Sequence, residues 1–358
     1  MIKRIDDTAD VWKAILTLMV IYIHSFSLVP SDDGTWLYNI KVYLSFVFPR
    51  IAVPLFFMYS GYFFFKGKEF SFQVWLGKMK IRLKTLLIPF CLWSLIGAAF
   101  FMCIAKGQRT FSFFEMLNHV FWMYSDTTSS HLPQWVGYEI PKVTSLNMPL
   151  WYVRDLILLM CVSPLIYTIL RRKVLGIFML VSLLLIFLFI DTDKIPYVGI
   201  DCLLFFMSGA FLSYQDQDVL MIRRVTKMML FLLVIITSIW SLLNYGHQYE
   251  TLSRHLYILV AIIFLLSLSL PVRIRVEFDK LHLVGGGKMF FVYCSHIMIL
   301  RMLVFVTYRL TIMMPTYTHV IIYLMSPIVC FGICVLLYDV LQKVNPRFLS
   351  VLVGNRLK

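Results

Sequence analysis

The sequence is short of charge. Asp, Glu, Lys and Arg make up 15% of its 358 residues, and only 19 residues are acidic. A water-soluble domain carries about 25% charged and about 45–50% apolar residues. Here the apolar share is 60%, with a mean hydropathy of +0.81, which excludes an ordinary soluble globule. No low-complexity tract or polar linker interrupts the chain, so a second, water-exposed domain is not expected. Metal and nucleotide signatures are missing too. There is no His-Glu-x-x-His and no Cys-x-x-Cys, and the Gly-rich run ending at Lys288 lacks phosphate-loop spacing, with His282 and Met289 where that motif needs Gly and Ser or Thr. No metal site is expected. The seven cysteines all fall in apolar runs and read as small buried side chains rather than disulfides. A cleavable leader is not expected either, because the first apolar run outlasts a signal core and no small-residue cleavage site follows it.

What the chain has in abundance is apolar runs of membrane-spanning length. They recur at approximately 11–29, 42–65, 85–105, 149–170, 174–190, 197–214, 228–245, 254–271, 288–309 and 318–341. The expected fold is all-α: a polytopic transmembrane helical bundle of about ten spans, forming one integral membrane domain over 1–358. The net charge of +14 does not point to nucleic acid, because the basic residues sit in short loops between spans and not on one polar face. With the N-terminus inside, 23 of the 33 Lys and Arg residues fall in cytoplasmic segments. That bias places both termini in the cytoplasm. The longest extracytoplasmic loop is expected at about 106–148, where the aromatic stretch Phe111–Tyr124 suits a membrane interface.

Ionisable residues inside spans are costly and mark functional positions. His24, Arg50, Arg154, Asp155, Asp201, His296 and Arg301 lie within the predicted spans. At a rise of about 1.5 Å per residue, His24, Arg50, Asp155 and Arg301 come out roughly 8–12 Å below the outer surface. They come from different helices, which predicts one polar layer in the outer half of the bundle; His296 comes out lower. Lys13 and His24 are eleven residues apart, close to three turns of about 3.6 residues, so they share a helix face. A cation near the cytoplasmic mouth and an imidazole about 16 Å further in suit a long donor with an anionic head and a reactive tail. Each feature also has a plain reading: His24 as a buried, hydrogen-bonded histidine, Lys13 as a snorkelling loop cation, and Trp151 and Tyr152 as interfacial aromatics.

These residues carry a resemblance. Lys13-x10-His24 within WKAILTLMVIYIHS resembles the basic-x10-His first helix of the acyltransferase-3 family of membrane acyltransferases. RIAVPLFFMYSGYFFF, with Arg50, Ser60 and Gly61, is similar to that family's second helix. PLWYVRDLILLMCVSPLI, with Trp151, Tyr152, Arg154 and Asp155, and GKMFFVYCSHIMIL, with Tyr293 and His296, resemble two further helices, in order. The resemblance implies transfer of an acyl group, acetyl or succinyl, from acyl-coenzyme A to a hydroxyl of a surface glycan or its lipid-linked precursor. It implies the bacterial cytoplasmic membrane as the location, His24 as catalytic base, and donor binding by Lys13 together with Lys80, Arg82 and Lys84. Arg50, Ser60, Trp151, Tyr152, Arg154, Asp155, Tyr293, His296 and Arg301 are the candidates for orienting substrate in the polar layer. Two positions depart from the pattern: Lys13 stands where Arg is common, and Arg82 is followed by Lys84 and Thr85 instead of completing an Arg-x-x-Arg pair. The His-x4-Asp signature of glycerolipid acyltransferases is absent. The alternative is a transporter or flippase that binds an anionic or lipid-linked substrate in the polar layer without acyl chemistry. Oligomeric state is not legible in the sequence.

Overall fold

A computed structural model describes residues 3–31, 35–67, 70–104, 147–190, 199–214, 224–268, 286–311 and 314–357. The expected outer loop at 106–148 therefore lies almost wholly outside the described residues. Among the described residues there are helices and turns and no strand. In hydrocarbon every backbone polar group must be satisfied within its own segment, and a helix does this.

The helices are α1 (Lys3–Ile23), α2 (Trp36–Phe65), α3 (Phe72–Arg82 continuing through Leu83–Leu87 into Ile88–Ile104), α4 (Trp151–Cys161), α5 (Ser163–Arg171) and α6 (Lys173–Phe189). There follow α7 (Ile200–Tyr214), α8 (Arg224–Leu243), α9 (Glu250–Ser267), α10 (Gly286–Thr311), α11 (Thr316–Val344) and α12 (Pro346–Leu352). Among the described residues six helices are long and apolar enough to cross a membrane: α2, α3, α8, α9, α10 and α11. The expected fourth span is not one straight helix. It breaks at Val162 into α4 and α5, bent by 59°, because Pro164 at the second position of α5 cannot donate to the preceding turn. The apolar part of α1 (Val11–Ile23), α6 and α7 are shorter than a full span. Whole faces of α6, α8 and α11 are apolar and exposed, among them Val174, Phe178, Phe231, Ile236, Ile321 and Leu336. Exposed apolar rows of this extent fit contact with lipid tails, not water.

The chain gathers into two compact units. The first comprises Met1–Met19, Val42–Lys80 and Asp155–Val284. Its centre is the pairing of α2 with α7. Gly61 on α2 faces the carbonyl of Phe206, and Gly209 on α7 faces the carbonyl of Met58. A Cβ at either position would overlap the opposite backbone. Small residues here let two helices approach to backbone contact, where dispersion and weak polar contacts replace the hydrophobic drive that lipid does not supply. Around this pair the Trp75 indole donates to the Met160 carbonyl at 3.0 Å, and the rings of Phe187 and His255 stack at 3.9 Å.

The second unit comprises Val20–Lys41, Ile81–Arg154 and Gly285–Lys358. Here α10 packs along α11, and α12 closes against α3. Asn147 is fully buried and ties three segments, donating to the carbonyls of Trp93 and Cys294 at 3.2 Å each. Gly97 makes room for it. The Trp93 indole donates to the Leu352 carbonyl at 3.1 Å, and the Thr307 hydroxyl donates to the Leu28 carbonyl at 2.8 Å. Of the seven cysteines, Cys202, Cys294, Cys330 and Cys334 are buried as expected, whereas Cys103 and Cys161 are exposed on the outer surface of their helices. An apolar run has an outer face as well as an inner one, and membership of the run does not say which face a thiol takes.

Candidate active site

The second unit brings two imidazoles together. The rings of His24 and His296 lie 5.5 Å apart, centre to centre, tilted by 35°. His24 does not sit on a regular turn of α1. The helix ends at Ile23, and the His24 amide bonds back to the Ile21 carbonyl at 3.1 Å in a tightened turn. The three-turn phase relation expected between Lys13 and His24 thus applies up to Ile23 and is modified at the histidine itself. His296 belongs to α10 and is completely buried. The ring separation makes His296 a neighbour of His24, whereas counting residues inward sets it lower in the bundle. That count assumes each helix starts at the end of its apolar run and stands upright, and α10 runs on to Thr311.

The surroundings of His296 fix its tautomer. Its Nδ1 faces the carbonyls of Tyr293 at 2.7 Å and Val292 at 3.2 Å. A carbonyl can only accept, so Nδ1 must carry the proton. Nε2 then holds the lone pair, and it is buried without a hydrogen-bond partner among the described residues. An unmet buried acceptor costs about 1–3 kcal/mol, and such groups gather where a proton or a ligand is handled. The Cys330 thiol donates to the His296 carbonyl at 3.5 Å, and the Tyr293 hydroxyl donates to the Pro149 carbonyl. Tyr293 stands 6.0 Å from the His296 ring and packs edge-on against Tyr152 at 5.7 Å. Arg154 and Arg301 are buried in this unit, and Trp151 is half-buried.

Cations mark another part of the same unit. Of Arg82 and Lys84, only Arg82 turns inward; Lys84 is exposed. Arg82 couples electrostatically to Tyr152 and to Arg356, near the far end of the chain. Burial, and then Arg82 beside it, lowers the Arg356 guanidinium to about 10. Among the described residues neither guanidinium is paired with a carboxylate.

The first unit holds the other predicted residues. Lys13 lies over the Phe63 ring at 5.8 Å, and Arg50 over Phe46 at 5.6 Å. Ser60 is half-buried on α2, and Lys80 is exposed. Asp155 is buried, with the Cys202 sulfur 4.0 Å from its Oδ2. Arg154 and Asp155 are adjacent on α4 and both buried; the turn of about 100° between neighbouring helical residues points their side chains apart. Of the candidates for the polar layer, His24, Arg154 and Arg301 belong to the second unit and Arg50 and Asp155 to the first.

Sequence reasoning missed Lys41, Thr85, Asn147 and Arg356. Lys41 is buried and donates to the Val29 carbonyl at 2.6 Å and the Ser31 hydroxyl at 2.8 Å, over the Phe26 ring. The available signal was Trp36-Leu37 at the true start of α2, which puts Lys41 inside the helix and not before it.

The comparisons with known proteins can be set beside this geometry. The family model described as "Acyltransferase domain" matches residues 6–339. The chain is also 24% identical over 325 residues to the succinoglycan biosynthesis protein ExoH of Rhizobium meliloti (strain 1021), covering 88% of this chain and 82% of the relative. No solved structure matches. The family match takes in both histidines, Lys13 and the Tyr152–Tyr293 pair, and on that extent the chain belongs to the acyltransferase-3 family.

Proposed function

We propose that this membrane acyltransferase moves an acyl group, acetyl in the first instance, from acyl-coenzyme A to a hydroxyl of a surface glycan or its lipid-linked precursor. The observation that carries the reading is the imidazole pair: His24 beside His296, whose Nε2 lone pair is buried and has no partner among the described residues. An imidazole beside a second one whose Nε2 lone pair is buried is suited to taking a proton from a hydroxyl. In the proposed reaction the acceptor oxygen attacks the thioester carbonyl carbon while His24 takes the hydroxyl proton. The C–S bond then breaks. The coenzyme A thiolate leaves and is protonated by the His24 imidazolium, which restores the base. Buried cations such as Arg154 and Arg301 would offset negative charge on the carbonyl oxygen during the attack. The name of the relative from Rhizobium meliloti supports a polysaccharide as the acceptor class.

The same reading places the protein in the bacterial cytoplasmic membrane, with ten spans and both termini cytoplasmic. The bent α4–α5 pair and the short helices α1, α6 and α7 would complete the count beside the six long helices. Donor phosphates would meet Lys13, Lys80, Arg82 and Lys84. The test is single-turnover transfer from radiolabelled acetyl-coenzyme A in membranes supplied with glycan precursor. His24→Ala should lower the rate by about 100-fold or more, the usual range for loss of a general base. Full activity in that variant would refute His24 as the base. A wild type that never consumes the thioester would refute the acyl-transfer reading.

A further inference from the structure

Arg356 lies beyond the stretch matched by the family model, yet it is built into the second unit with unusual care. Asn345 caps α12 by accepting from the Phe348 amide at 3.1 Å, and Leu349 and Leu352 anchor the helix in the core. The chain then reverses through two left-handed residues, Gly354 at φ 65° and Asn355 at φ 57°. Asn355 is held there by its amide on the Ser350 carbonyl at 2.7 Å and by the Ser350 hydroxyl on its side chain at 2.9 Å. The reversal lays the backbone so close to α3 that a Cβ at Gly354 would overlap the Thr85 carbonyl, and one at Gly287 would meet the Arg356 carbonyl at 2.5 Å. Only glycine fits either contact without displacement.

The product of this arm is a cation placed where it is electrostatically unwelcome. The Arg356 Nη2 donates to the Thr85 carbonyl at 3.0 Å, and its guanidinium lies 4.6 Å from the centre of the Phe290 ring. It couples to Arg82, a like charge, and no carboxylate offsets the two among the described residues. Thr85 sits in the π turn Leu83–Leu87, where the helical ladder is loosened. Its hydroxyl is buried with no partner among the described residues. Two half-buried guanidiniums and a buried hydroxyl without a partner form a set of donors with no carboxylate to offset its charge among the described residues. Phosphate oxygens supply acceptors and negative charge together, and the guanidinium fork matches them in pairs.

We infer that Arg356 and Arg82, with the Thr85 hydroxyl, form a phosphate-binding site, and that its ligand is a phosphate group of the coenzyme A donor. The assignment of the donor rests on the reading given under Proposed function; the site itself rests on the arm and the donor cluster. An anionic lipid headgroup shares the same chemistry and is separated from the nucleotide by the experiment.

The full-length protein is placed in phosphatidylcholine nanodiscs and titrated with coenzyme A. Arg356→Gln should weaken binding about tenfold or more, since a hydrogen bond to a charged group contributes about 1.5–3 kcal/mol. Arg356→Lys should recover part of that loss, and Arg347→Gln serves as an exposed control of equal charge. In the wild type, phenylglyoxal labelling read by mass spectrometry should mark Arg356, and coenzyme A should protect it; this arm does not depend on any variant folding. Binding by Arg356→Gln as tight as wild type, with Arg356 unprotected, overturns the inference and leaves the donor reading intact. Absence of coenzyme A binding by the wild type overturns both. Protection of Arg356 by phosphatidic acid in the discs but not by coenzyme A assigns the site to a lipid headgroup and overturns the assignment to the donor.

Discussion

At the scale of single residues, His296 is where the structure adds most to the sequence. Its position in an apolar span marked it, but its role was open between orienting substrate and holding helices together. The hydrogen bonds divide those roles between its two nitrogens. Nδ1–H serves the helix, through the Tyr293 and Val292 carbonyls, and Nε2 serves nothing described in the protein. Amide side chains can test each nitrogen separately. Asn places its NH2 near the position of Nδ1 and has nothing at Nε2. His296→Asn should therefore keep a melting temperature close to wild type, while transfer from acetyl-coenzyme A falls about 100-fold if Nε2 takes part in the proton path. Gln reaches the Nε2 position and should retain more activity than Asn. If Asn transfers as fast as wild type, His296 acts only through Nδ1 as a helix tie. Lys41 and Arg356 show why other residues were not legible. Lys41 falls at the edge of an apolar run, where a cation reads as a loop residue. Arg356 gains meaning only from Arg82 and Thr85, and its contact with Thr85 spans 271 positions. No local pattern encodes such a pairing.

At the scale of helices, apolar length was legible and helix shape was not. Runs of Leu, Ile, Val and Phe announce themselves because a helix must stay apolar for about 20 residues to cross hydrocarbon. The π turns in α2 and α3 and the bend at Val162 leave weaker marks, since they depend on how a few carbonyls are re-satisfied. Gly61 was visible within the Ser-Gly-Tyr motif, but its partner Gly209 has significance only across the α2–α7 contact. That contact makes a specific prediction. Gly209→Val places two methyl groups where the Met58 carbonyl now lies and must push the helices apart. Overpacking of this kind costs about 1–3 kcal/mol. The variant should melt several degrees below wild type in detergent, whereas Gly77→Val, where a Cβ meets nothing within 4 Å, should not. Equal melting of Gly209→Val and wild type would mean that the backbones are not in contact there.

At the scale of the whole molecule, the question is how the chain threads the bilayer, and charge supplies the argument. Among the described residues six helices meet the length and hydropathy of a span on their own, so the proposed ten depends on α1, α6, α7 and the bent α4–α5 pair. Each of these is short or broken, yet the spans fall in pairs between basic segments as an alternating topology requires: Lys66 to Lys84 at the start of α3, Arg171 to Lys173 between α5 and α6, and Arg223 to Lys227 after α7. If α6 and α7 both cross, the basic segments that flank them lie on the same side. If only one crosses, three cations must face outward, against the bias that orients the rest. The prediction is that Ser-to-Cys reporters at Ser71 and Ser350, in a chain whose native cysteines are replaced by Ala, react with a membrane-impermeant maleimide only after the membrane is opened. A reporter at Thr127, in the expected outer loop, should react in intact cells. Labelling of Ser350→Cys in intact cells would turn the C-terminus outward, make the number of spans odd, and separate the Arg356 arm from a cytosolic donor.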